Sequence, residues 1–256
     1  MTALLDLLGR IVVARIEEVG RIFLFLLETF RSSLTLPLRW KLIAKQMEFV
    51  GVRSISVVVL TGTFTGMVLA LQSSYAFRKF GAQSLVGTTV ALSMTRELGP
   101  VLTSLMVAAR AGSAMAAELG TMRVTEQIDA LTVMAVDPLR YLVVPRILAG
   151  FFMVPVLCVM SNFVGILGGY FVGVNLLGIN SGLYVNNTVK YLELNDLYNG
   201  LIKAAVFGVI LSTIGCYKGF YASGGAHGVG KATTEAVVLA SVLILINDYF
   251  LTALMF

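Results

Sequence analysis

ILAGFFMVPVLCVMSNFVGILGGYFVGVNLLGINSGLYVNNTV, residues 147–189, runs for 43 residues without one charged side chain. A helix needs roughly 20 mostly apolar residues to cross about 30 Å of hydrocarbon, so a spanning helix of about 28 residues starting at Ile147 accounts for the first part. The second part, NLLGINSGLYVNNT, is dense in Gly and Asn and predicts a loop. Upstream, residues 54–77 lie uncharged between Arg53 and Arg78, and residues 88–117 form a second run interrupted by Arg96, Glu97 and Arg110. Downstream, residues 197–217 contain only Lys203, and residues 236–256 contain only Asp248. The sequence therefore predicts an all-α membrane protein with five transmembrane helices.

Composition excludes the alternatives. The chain is 57% hydrophobic and 13% charged, with a mean hydropathy of +0.88, whereas soluble chains carry about 25% charged residues. A disordered chain, a disulfide scaffold and a water-soluble enzyme are ruled out. Cys158 and Cys216 lie in apolar runs and read as small packing residues. The net charge of +5 suits an anionic membrane face better than nucleic acid, because the basic residues do not gather on one soluble domain.

With five spans, fourteen of the nineteen Lys and Arg residues fall on one side of the membrane, leaving Arg78, Lys79, Arg96, Lys190 and Lys203 on the other. Cytoplasmic flanks carry the excess of Lys and Arg, so the amino terminus is expected in the cytoplasm and, with an odd number of spans, Phe256 outside. The first thirty residues lack the uncharged core of a secretory signal. Instead Val12, Ile16, Val19, Phe23, Leu26 and Phe30 recur at helical spacing, opposite Arg10, Glu17, Arg21 and Glu28. This amphipathic helix lies either in the membrane interface or against a cytoplasmic partner. Pro37 and the basic cluster from Arg39 to Lys45 separate it from the first span. Residues 1–50 thus form an interfacial helix and basic connector, and residues 51–256 a five-span domain.

Gly62 and Gly66 form a GxxxG in the first span; Gly165, Gly169 and Gly173 form a double one in the third; and Ser104, Ala108, Gly112, Ala116 and Gly120 repeat every fourth residue in the second. Such stripes let helices approach closely in lipid, either within the chain or at a homodimer interface.

Charges inside spans cost roughly 2.5–3.5 kcal/mol each even on lenient scales. Arg96 and Glu97 sit side by side just before Pro100, and a helix from there to Glu118 is about 31 Å long. The pair therefore lies near the outer face and either flanks a polar-headed cavity or anchors the helix end. Lys203 follows Asp196 by seven residues on the same helical face, as a second outward polar contact or a side chain snorkelling to the interface. Asp248 reads as a hydrogen-bonding group inside the bundle. Between the second and third spans, Val124, Ile128, Leu131, Val133 and Met134 give one apolar face while Glu126, Gln127 and Asp129 point away. That short helix either receives force from a cytoplasmic motor or is only a loop helix.

GAHGVGKA, residues 225–232, nearly matches a phosphate-cradling loop, but Ala232 replaces the hydroxyl residue and no strand precedes it. Its glycines predict a flexible cytoplasmic turn, with Thr234 capping the last helix. No nucleophile–base pair accompanies the lone His227, no metal-ligand spacing occurs, and no directly bound cofactor is expected.

SMTRELGPVLTSLMVAARAGSAMAAELGTMRVTEQIDALTVMAVDPLRYLVVPR, residues 93–146, closely resembles the MlaE/YrbE family of ABC-transporter permeases. The likeness begins at LTGTFTGMVLALQ and continues through GILGGYFVGV to KATTEAVV and DYFLTALMF. The stretch SSYAFRKF, residues 73–80, departs from the family's pattern. The resemblance implies a bacterial inner-membrane lipid permease, not itself an enzyme, working as a homodimer with two copies of a cytoplasmic ABC ATPase that binds ATP-Mg. It also implies a STAS-domain protein, a periplasmic hexamer of MCE-domain subunits, and a glycerophospholipid held between the two permease copies. By the same resemblance, Arg96, Glu97, Lys203 and Asp196 lie by the head group and Gln72, Tyr75, Phe80, Leu98 and Val101 line the apolar part. Glu126, Gln127, Ile128, Asp129, Ala130 and Leu131 match the helix that docks into the ATPase. A stand-alone secondary transporter of an amphiphile and an intramembrane lipid-modifying enzyme are the competing readings.

Overall fold

Backbone N–H and C=O groups have no water to bond in hydrocarbon, so an apolar run satisfies them within its own helix. The computed structural model describes residues 2–34 and 39–255, all helix and turn, with no strand among the described residues. The side chains of Arg10, Val12 and Arg15, together with Pro37 and Phe256, lie outside the described residues. The helices are α1 (Thr2–Leu34), α2 (Trp40–Val50), α3 (Ile55–Arg78), α4 (Val86–Ser93), α5 (Gly99–Val107), α6 (Ser113–Val124), α7 (Gln127–Val133), α8 (Val144–Tyr170), α9 (Ser181–Tyr191), α10 (Leu194–Phe220) and α11 (Gly225–Met255). Wide π turns at Met94–Leu98 and Ala108–Gly112 join α4, α5 and α6 into one rod. Five helical stretches are long and apolar enough to cross a membrane: Trp40–Arg78, Gln83–Val124, Leu139–Leu176, Leu194–Phe220 and Gly225–Met255.

Small residues set the packing. A Cβ on Gly66 would lie 1.8 Å from the Gly165 carbonyl oxygen, and one on Gly62 would lie 2.6 Å from Ser161 Oγ, so α3 and α8 touch backbone to backbone. Gly150 of α8 meets Gly208 of α10, and Gly112 and Ala116 meet Gly215 and Gly219 of α10. These stripes serve helix packing inside the chain. Cys158 and Cys216 are buried and unpaired, as small core residues.

Three local expectations need correction. The Gly/Asn-rich stretch predicted as a loop contains α9: Gly178, at φ +67°, makes the turn, and the Asn180 side chain accepts from Leu183 N–H at 3.2 Å as the helix's cap. The Asn that suggested a break is the start signal. The helix is held down by Tyr184, buried edge-on against Tyr170 with ring centroids 5.6 Å apart. Asn180→Ala is expected to cost about 1 kcal/mol, measurable as a lower unfolding temperature in detergent.

The second correction concerns GAHGVGKA, which is the first two turns of α11 and not a turn. The reversal takes residues 221–224 and the first residue of α11, with Gly224 at φ +92° and Gly225 at φ +66°. Thr234 is interior, its hydroxyl donating to the Gly230 carbonyl at 3.2 Å. Gly228, Ala232, Ala236 and Ala240 are buried along one face, so packing overrides the glycines' weak helix propensity. Third, the short helix α7 between the second and third spans buries only Ile128 fully; Val133, at 88% exposure, and Met134 point outward because α7 ends at that turn.

In α1, Phe25 and Thr29 are buried against the bundle, with Phe25 edge-on to Tyr217 at 5.6 Å. Ile16, Val19, Phe23 and Phe30 of the expected apolar stripe are exposed. Polar contacts anchor this end. Lys218 Nζ donates to Glu18 (2.5 Å) and Glu235 (2.8 Å), and Arg146 donates to Glu118 (2.8 Å) and the Leu142 carbonyl (2.6 Å). Arg110 donates to the Phe49 carbonyl (2.8 Å) and Ser54 Oγ (2.7 Å) at the bend between α2 and α3.

Candidate functional site

Toward the other end of the bundle, five charged side chains from three helices meet inside otherwise apolar surroundings. The π turn at Met94–Leu98 carries Arg96 and Glu97. Pro100 follows at the start of α5, and proline has no N–H to return to the carbonyl four residues earlier. That carbonyl, of Arg96, accepts from Lys203 Nζ at 3.3 Å. The π turn and α10 approach closely because Gly200 intervenes between Asp196 and Lys203: a Cβ there would lie 2.1 Å from the Thr95 carbonyl oxygen. Asp196, Gly200 and Lys203 share one helical face, which this contact buries.

Asp196 has two roles. It closes the capping box of α10, with Oδ2 accepting from Glu193 N–H at 3.2 Å. Its Oδ1 accepts from Arg96 Nε at 2.7 Å and pairs with Nη2 at 2.7 Å. Lys203 is fully buried. Its Nζ reaches Glu97 Oε2 (2.7 Å), Asp248 Oδ1 (3.2 Å) and Thr252 Oγ1 (2.7 Å) in addition to the Arg96 carbonyl. Thr252 Oγ1 lies 3.2 Å from Glu97 Oε1. An ammonium has three N–H groups, so four acceptors occupy it completely. Such satisfaction is what a charge out of water requires.

Arg96 and Glu97 do not pair with each other; each takes its partner from α10. Lys203 does not snorkel. Asp248 and Thr252, one turn apart on α11, complete the cluster and were absent from the sequence-derived site. The signal was an acid in an apolar span, which needs a cation, and Lys203 was the available one. Of the expected apolar lining, Leu98 is half-buried beside Val90 and Met94, and Val101 is buried in the main core. Gln72 and Tyr75 are exposed along α3, and Phe80 is exposed just beyond it. Lys79 lies over the Tyr75 ring at 5.0 Å.

At the opposite end, Glu126 takes a left-handed conformation (φ +59°) before α7. Gln127, Asp129 and Ala130 are exposed, Ile128 is buried and Leu131 half-buried. Arg123 pairs with Asp129 at 2.6 Å, tying α7 to α6.

Five apolar helices carrying a charged cluster within their bundle define a multi-pass membrane protein. The chain belongs to the MlaE permease family, whose model, Permease MlaE, matches residues 43–254. It is 48% identical over 249 residues to a probable ABC transporter permease protein of Rickettsia bellii, covering 97% of this chain and 96% of that one. It is 40% identical over 252 residues to the intermembrane phospholipid transport system permease protein MlaE of Haemophilus influenzae, covering 97% and 96%. Identity is again 40%, over 219 residues, to TRIGALACTOSYLDIACYLGLYCEROL 1, chloroplastic, of Arabidopsis thaliana, covering 86% of this chain and 63% of that one. The protein is accordingly an ABC transporter permease of the MlaE family.

Proposed function

We propose that the chain is the lipid-handling subunit of an ABC transporter in a bacterial inner membrane, moving phospholipid between inner and outer membranes and so maintaining outer-membrane lipid asymmetry. The observation that carries this reading is a charged cluster toward one end of an apolar bundle. An amphiphile needs an apolar cleft with a few polar groups at one end. Two copies of the chain enclose the lipid, with Arg96 and Glu97 facing its head, Asp196 and Lys203 holding them in place, and Gln72, Tyr75, Phe80, Leu98 and Val101 along its chains.

Energy comes from two copies of a cytoplasmic ATPase, which binds ATP-Mg and receives α7 through Glu126, Gln127, Ile128, Asp129, Ala130 and Leu131. A STAS-domain protein and a periplasmic MCE-domain hexamer complete the assembly. The excess of Lys and Arg on one side favours a cytoplasmic amino terminus and a periplasmic carboxy terminus. Residues 1–50 supply the interfacial helix and connector, supported by the outward-facing Ile16, Val19, Phe23 and Phe30, and residues 51–256 the permease domain.

The double variant Arg96→Ala, Glu97→Ala is expected to co-purify several-fold less phospholipid and to sensitise cells to detergent. Unchanged lipid occupancy together with an intact outer-membrane barrier overturns the head-group assignment. The isolated chain in liposomes is expected to move no lipid; transport without an ATPase makes it a secondary transporter instead.

A further inference from the structure

Resting on the phospholipid reading above, the exposed and the buried members of the cluster divide into two sets. Lys203 is fully buried and its three N–H groups face four protein acceptors, so it has no donor to offer a ligand. Asp196, 3% exposed, is committed to Arg96 and to the cap of α10. Two groups remain accessible. Arg96 is 39% exposed and Glu97 36% exposed, adjacent in sequence and opposite in charge. The cluster as a whole sets two cations, Arg96 and Lys203, against three carboxylates, Glu97, Asp196 and Asp248. No surplus positive charge is left to attract an anion, and an incoming group with net negative charge is repelled.

We infer that the site selects a zwitterionic phospholipid, whose head carries a phosphate and an ammonium, over one with a net negative head. The phosphate faces the Arg96 guanidinium, a planar fork suited to it, and the ammonium faces Glu97. The Glu97 carboxylate offers about four lone-pair sites, of which Lys203 and Thr252 use only part. Glu97 thus acts as the specificity-determining residue and Arg96 as the general phosphate contact.

The test uses the full chain purified into nanodiscs of phosphatidylethanolamine and phosphatidylglycerol in equal amounts with identical acyl chains, then stripped in detergent. Retained lipid is counted by mass spectrometry. The wild type is expected to hold the ethanolamine lipid over the glycerol lipid by about fivefold, the scale of one half-exposed charge contact. Phosphatidylcholine, equally zwitterionic, is expected to be held over the glycerol lipid too. Glu97→Gln, which keeps shape and a hydrogen bond to Lys203, is expected to bring the ratio to about one while lipid is still bound. A wild-type ratio of one or below, or a Glu97→Gln ratio equal to the wild type's, overturns the inference. If Glu97→Gln fails to fold, the wild-type ratio decides alone. A wild type that retains no phospholipid at all overturns the functional reading itself, a result separate from retention without preference.

Discussion

Lys203→Met is expected to destabilise the protein by about 3 kcal/mol. Removing one member of a buried ion pair leaves the other charged and unpaired, at about 3–5 kcal/mol, and the lower figure applies because Glu97 is 36% exposed to solvent. In Lys203→Met, Glu97 and Asp248 share a site with no cation between them, and Thr252 alone bridges part of the gap. The measurement is thermal unfolding in detergent, read with the triple variant Lys203→Met, Glu97→Gln, Asp248→Asn. Replacing a whole buried ionic group by uncharged residues is often close to neutral, so the triple variant is expected to recover most of the lost stability while binding less lipid. A triple variant as unstable as the single one shows that Lys203 acts through packing of its stem and not through its charge.

Gly66→Leu carries the other large effect, expected to exceed about 4 kcal/mol and to remove folded protein from the membrane fraction. The first added carbon already falls 1.8 Å from the Gly165 carbonyl oxygen, with the Gly165 carbonyl carbon at 2.5 Å and Cα at 2.8 Å. All three are backbone atoms, so no rotamer change relieves the clash, and α3 must part from α8 along the most extensive helix pair among the described residues. Gly230→Ala is the internal comparison. It lies in α11 with nothing within 4 Å of an added Cβ, and alanine exceeds glycine by up to about 1 kcal/mol inside a helix. A gain there and a loss at Gly66 separate close packing from helix propensity.

The head-group preference and the stability of Lys203 test one arrangement from two directions. Lys203 pairs with Glu97, and in the proposed site Glu97 is the group that meets the head group. A variant that loses the head-group preference while lipid is still bound, as expected for Glu97→Gln, distinguishes recognition from scaffolding.

Much of this was legible in the residues alone. The five spans follow from apolar length, because a bilayer imposes one distance on every helix and leaves its backbone no partner but itself. Arg96, Glu97 and Lys203 stood out because a charge in an apolar run is costly unless something holds it. What could not be read was who holds whom. The pairing of Arg96 with Asp196, and of Lys203 with Glu97, Asp248 and Thr252, spans up to 106 positions along the chain. It depends on the depth at which α10 and α11 pass the π turn, which no periodicity encodes. The same holds for Gly225, Gly228 and Asn180, whose local propensity predicts turns. A buried small-residue face on α11 and a cap on α9 made helix the cheaper state. Spacing and hydropathy are properties of a single helix and so are written in the sequence; the choice of charge partners is a property of helices brought together, and only the packed bundle makes it.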